Sequence, residues 1–143
     1  MSDTAPTPNP LLKTLERLIG TWTVSDPTGK GEMNGQVRFE WMDGGFFMAQ
    51  HVNLVHDGRP ITGIEIIGYD SESNLLRSSY YGNSAEIFKY VWEIEGDTLT
   101  IWGGEKGSPA RYIGKFSDDG NTNTGGWEWP GGGYESSMTR AKG

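Results

Sequence analysis

From Thr21 onward, apolar and polar positions alternate with a period of two, the spacing of strands that bury one face. Val37, Phe39 and Trp41 alternate with Arg38, Glu40 and Met42. Phe88, Tyr90, Trp92 and Ile94 alternate with Lys89, Val91 and Glu93. Trp127 and Trp129 flank Glu128, and Tyr134, Ser136, Met138 and Arg140 share one face of a last strand. Turn signals separate these runs: Asp43-Gly44-Gly45, Asp57-Gly58, Ser71 to Asn74, Glu95-Gly96-Asp97, Asp118 to Asn121 and Pro130 to Gly133, since Gly, Asn and Asp tolerate the backbone that tight turns need. About ten strands with short connections predict an all-β, antiparallel up-and-down barrel, because a long meander removes its exposed edges by closing. A β-sandwich is the alternative.

Before the strands the pattern differs. Residues 1–9 are polar and Pro-rich and read as a disordered tail; residues 10–143 read as a single barrel domain. Leu11, Leu15, Leu18 and Ile19 recur at helical spacing. Asn9 suits the N-cap, Pro10 the first helical position and Gly20 the C-terminal cap. So short a helix needs a surface to lie on, and one end of the barrel supplies it.

Composition narrows the function classes. The 143 residues carry a net charge of -7 and no basic stripe, which argues against nucleic acid and anionic membrane as partners. The chain has no Cys, so disulfides, thiolate catalysis and Cys-ligated metals are excluded. No apolar run is long enough to span a bilayer as a helix, and the first ten residues show no signal-peptide pattern. The expected compartment is the cytoplasm. Twenty-two glycines and 12% aromatics fit short strands joined by tight turns.

Four segments carry a resemblance: Leu18-Ile19-Gly20-Thr21-Trp22, Glu40 to Phe47, Ile66 to Asp70 and Gly126-Trp127-Glu128-Trp129. In this order they resemble a bacterial lipocalin-like family of unknown function, similar to the calycin group that includes nitrobindin and fatty-acid-binding proteins. The resemblance implies a barrel of lipocalin type and a small apolar ligand. It also implies that Trp22, in a Gly-x-Trp at the first strand, and Arg140, near the end of the last, close the barrel base. Nitrobindin-like proteins hold haem iron through a His late in the chain. This chain has only His51 and His56, so no cofactor is expected. Fatty-acid-binding proteins hold a carboxylate with internal basic residues, and no motif here places Arg111 or Arg140 in that role.

The candidate ligand-binding residues are Phe39, Trp41, His51, Phe88, Tyr90, Trp92, Trp127 and Trp129. The aromatics could equally fill a solid core, but barrels of this size commonly enclose space. His51 and His56 are five apart and face opposite sides of a strand, so no metal site is expected. Glu65, Asp70, Glu86 and Glu128 are carboxylates in or near strands, and a buried pair could do acid–base chemistry. No spacing shows that two meet. Arg77, Tyr80 and Tyr81 form a weaker group, since the two tyrosines face opposite ways. The leading expectation is a carrier or sensor for a small, largely apolar molecule. The alternative is a cofactor-free lyase, isomerase or hydrolase using internal Tyr, Arg and Glu or His51. A third reading is a filled barrel acting through protein contacts, as a homodimer. The facing of Ile61 to Tyr69 and Leu75 to Gly82 is left open.

Overall fold

The computed structural model describes residues 5–29 and 33–141. Ten strands follow one short helix: β1 Gly20–Ser25, β2 Met33–Trp41, β3 Phe47–His56, β4 Arg59–Asp70, β5 Leu75–Gly82, β6 Ile87–Glu95, β7 Thr98–Gly103, β8 Arg111–Phe116, β9 Thr122–Trp129 and β10 Gly132–Arg140. Each pairs antiparallel with the next, and β1 pairs with β10, so the sheet is a closed up-and-down barrel. The sandwich alternative is thereby excluded. Four residues of the expected tail, 1–4, lie outside the described residues, and residues 5–9 carry no regular structure.

The turns follow the sequence signals. At the β3–β4 turn both Asp57 (φ 51°) and Gly58 (φ 75°) take the left-handed conformation, as a two-residue hairpin of this twist requires. That turn sets His56 opposite Arg59 and therefore Gln50 opposite Glu65.

The helix differs from its expectation. Pro10–Leu18 is a 3₁₀ helix, with Asn9 as N-cap accepting a hydrogen bond from the Leu11 amide at 2.8 Å. Ile19 is the C-cap, and Gly20 instead opens β1. Three residues per turn align positions three apart, so Leu12, Leu15 and Leu18 are the buried face while Leu11 and Ile19 are exposed.

The helix lies at one end of the barrel. Arg17 donates to the Gly96 carbonyl (2.9 Å) in the β6–β7 turn, and its guanidinium carbon sits 4.0 Å over the Phe116 ring. Trp22 is fully buried and donates from Nε1 to the Leu18 carbonyl at 2.8 Å. Arg140, its register partner on β10, stands 4.2 Å over the indole. It donates to the carbonyls of Ile19, Arg17 and Gly120 and to Asn121 Oδ1. One planar cation therefore ties the helix end, the last strand and the β8–β9 turn together, a task that needs a fork of donors rather than a point charge.

Candidate functional site

Above this packed base the interior is not filled. A cavity of about 370 Å³ is bounded by side chains from β1 to β10 and contains the aromatic rings of Phe39, Tyr80, Tyr90, Trp92, Tyr112, Trp127, Trp129 and Tyr134. Trp22, Met48, Ile67, Leu76 and Phe116 are buried but lie off its wall. Phe39 and Trp92, on strands that are not neighbours, meet edge to face across the interior at 6.3 Å. Tyr90 and Tyr112 each meet Trp127 at 5.8 Å. Such ring contacts give the walls fixed shape as well as apolar area.

One stretch of wall carries the carboxyl. Register places Gln50, Glu65 and Tyr80 side by side across β3, β4 and β5, all three on the cavity wall. Glu65 is 6% exposed. Its Oε2 accepts from Ser78 Oγ at 2.5 Å and from Trp92 Nε1 at 3.0 Å, and the indole also lies 2.9 Å from Ser78 Oγ. Oε1 makes no hydrogen bond among the described residues. Burial raises the carboxyl to about 7 against these two donors, which pull it down.

Tyr80 owes its position to two glycines. A Cβ on Gly63 would come within 2.8 Å of the Tyr80 hydroxyl, and one on Gly82 within 2.7 Å. The ring lies where those missing side chains would be. The hydroxyl is buried and unpaired among the described residues. Desolvation, then the nearby Glu65 charge, raises it. Tyr90 is pushed up to about 12, first by desolvation and then by Glu65 and Tyr80. Tyr112 is raised by burial, and its hydroxyl donates to Asn123 Oδ1 at 2.6 Å. That pair occupies the space over Gly114, where a Cβ would strike both Asn123 Oδ1 and the Tyr112 hydroxyl.

Five of the eight expected ligand-binding residues, Phe39, Tyr90, Trp92, Trp127 and Trp129, stand on the cavity wall. Three do not. His51 is on the outer face of β3, where its Nε2 lies 2.6 Å from Glu40 Oε2, because the register that turns Gln50, Val52 and Leu54 inward turns it out. Trp41 packs against the core beside the base. Phe88 shares the inward parity of Tyr90 but sits at the strand end and is 40% exposed. His56 stacks near Tyr134, ring centroids 5.1 Å apart.

Of the carboxylates, only Glu65 joins the site. Asp70 forms the β4–β5 turn with Ser73, and Glu128 pairs outside with Arg111. Arg77 is also outside the cavity, between Asp70 and Glu105. Glu65 and Tyr80 are expected from the sequence only as candidates for acid–base chemistry, and Gln50 and Ser78 are not expected at all. The β3–β4 turn fixes the parity of β4 only relative to β3, whose two faces are both apolar, so the pattern alone does not turn Glu65 inward. Among the described residues, no group of three or more His, Cys, Asp or Glu is arranged to hold a metal, and no helix is long and apolar enough to cross a membrane.

Fold and site define a class: a closed ten-stranded antiparallel barrel with an aromatic internal cavity and one buried carboxyl on its wall. The model of DUF1579, a family described as proteins of unknown function, matches residues 7–105, and the chain belongs to that family. A search of curated proteins found no match.

Proposed function

We propose that this chain is a carrier or sensor that encloses one small, largely apolar molecule, with the polar end of the ligand at Glu65 and Tyr80. The observation that carries this reading is the cavity of about 370 Å³, walled mostly by aromatic and aliphatic side chains with a few polar groups among them. Ligand sites have that size and that distribution of polarity. Kinship of lipocalin or calycin type belongs to the same proposal and is supported by the barrel closed through Trp22 and Arg140. So do a cytoplasmic site of action and the absence of nucleic-acid and membrane partners, which rest on the acidic composition.

A second reading has its own observation. A carboxyl raised to about 7 beside an unpaired Tyr hydroxyl is equipped to move a proton at neutral pH, as a cofactor-free lyase or isomerase needs. Native mass spectrometry of freshly purified protein, followed by denaturation to release what is bound, tests the carrier reading. A stoichiometric small molecule is the expected result. Protein that is empty, and that also binds no member of a small-molecule panel, refutes it.

A further inference from the structure

Among the described residues the cavity wall carries one carboxyl and no Lys, Arg or His. Its other titratable groups are Tyr80, Tyr90, Tyr112 and Tyr134, with His56 near Tyr134. Three arginines of the barrel are engaged elsewhere: Arg140 at the base, Arg111 paired with Glu128, and Arg77 with Asp70 and Glu105. Glu65 Oε2 is held by Ser78 and Trp92, while Oε1 has no donor among the described residues. Tyr80, directly across from Glu65 on β5, keeps an unpaired hydroxyl, and Tyr90 and Trp92 add π-faces to the same wall.

Resting on the carrier reading above, we infer that the ligand is a hydrophobic amine, its ammonium group seated on Glu65 Oε1 among Tyr80, Tyr90 and Trp92. A carboxylate plus aromatic faces is the arrangement that attracts an organic cation. An ammonium brings the countercharge that the buried carboxyl lacks, and its N–H groups fill the open acceptors. A fatty-acid carboxylate would instead place a second negative charge beside Glu65 with no cation between them. A neutral alcohol could bond to the same oxygens but gains no charge pairing.

Octylamine, 1-octanol and octanoate isolate the headgroup. Each is titrated into the full chain, with the fluorescence of wall residues Trp92 and Trp127 as signal and calorimetry in buffers of different ionisation enthalpy. Octylamine should bind about tenfold or more tighter than octanol, with octanoate weakest. Because Glu65 is poised at about 7, pairing should release about half a proton per octylamine at pH 7, and octanol should release none. Glu65→Gln should bring octylamine down to the octanol level and abolish the proton release. Octanoate binding as tightly as octylamine overturns the inference, as does octylamine showing neither advantage nor proton release. In those cases octanol binding keeps the cavity reading alive; if none of the three binds, both fall. Should the variant not fold, the proton count on the natural chain decides.

Discussion

Glu65 makes the stability of this barrel depend on pH in the direction opposite to that of most carboxylates. The perturbation is Glu65→Gln, which keeps the shape and an acceptor for Ser78 and Trp92 but removes the titration. In the folded chain burial holds the carboxyl proton up to about pH 7, whereas the ordinary value is 4.5. Between those values the folded state binds more protons than the unfolded one, so stability falls as pH rises. The contribution is fully present below 4.5 and lost above about 7. That gap, at about 1.4 kcal/mol per pH unit, amounts to about 3 kcal/mol, with no discount for solvent screening because Glu65 is buried. Glu40, Asp70 and Asp119 shift the other way, each lowered first by side-chain hydrogen bonds, from His51, Ser73 and Ser117 respectively. They are common to both proteins and cancel in the difference.

Urea unfolding followed by tryptophan fluorescence, from about pH 5 to about pH 8, measures that difference. Across this range, which starts above 4.5, the variant should gain about 2–3 kcal/mol relative to the natural chain. Two stability curves that stay parallel to within about 0.5 kcal/mol would refute the reasoning, because Glu65 would then ionise in the folded state as it does in water.

Arg140→Ala should destabilise the barrel by about 2–3 kcal/mol in the same assay, and Arg140→Lys should recover little of it, since one ammonium cannot replace a fork reaching several carbonyls. Gly114→Ala should cost about 2–3 kcal/mol in a thermal melt, because its methyl must displace the Tyr112–Asn123 hydrogen bond. Once a ligand is in hand, His51→Ala should leave its affinity within about twofold while Trp92→Ala weakens it about tenfold or more; the reverse order would place the site on the outside.

The barrel is legible in the sequence because its strands alternate cleanly and its turns are spelled out in Gly, Asp and Asn. Phe39, Tyr90, Trp92, Trp127 and Trp129 sit on strands whose two faces differ in polarity, so parity can be read directly. β3 offers no such contrast. Phe47, Ala49 and Val55 lie on one face and Met48, Val52 and Leu54 on the other, so the pattern alone does not say which face His51 joins. β4 is apolar on both faces, with Ile64 and Ile66 outside and Ile67 inside, which hides Glu65. The helix is ambiguous for a different reason: apolar residues at 11, 12, 15, 18 and 19 satisfy either a 3.6 or a 3.0 period. Only docking on the barrel end selects Leu12, Leu15 and Leu18.

The two ends of the interior answer different physical demands. At the base the large side chains are packed, and Trp22 and Arg140 have their polar atoms engaged. Towards the other end glycines replace side chains, as at Gly63 and Gly82, and the room they leave is taken by Tyr80 with an unpaired hydroxyl. An unpaired buried hydroxyl costs free energy, and Glu65 above pH 7 costs about 3 kcal/mol more. A glutamine at position 65 would avoid the second cost and still offer an acceptor to Ser78 and Trp92. Stability alone therefore does not account for this wall. A ligand that donates to Glu65 Oε1 and engages Tyr80 would offset both costs at once, so binding should raise the melting temperature more at pH 8 than at pH 5, where Glu65 is still protonated and has less to gain.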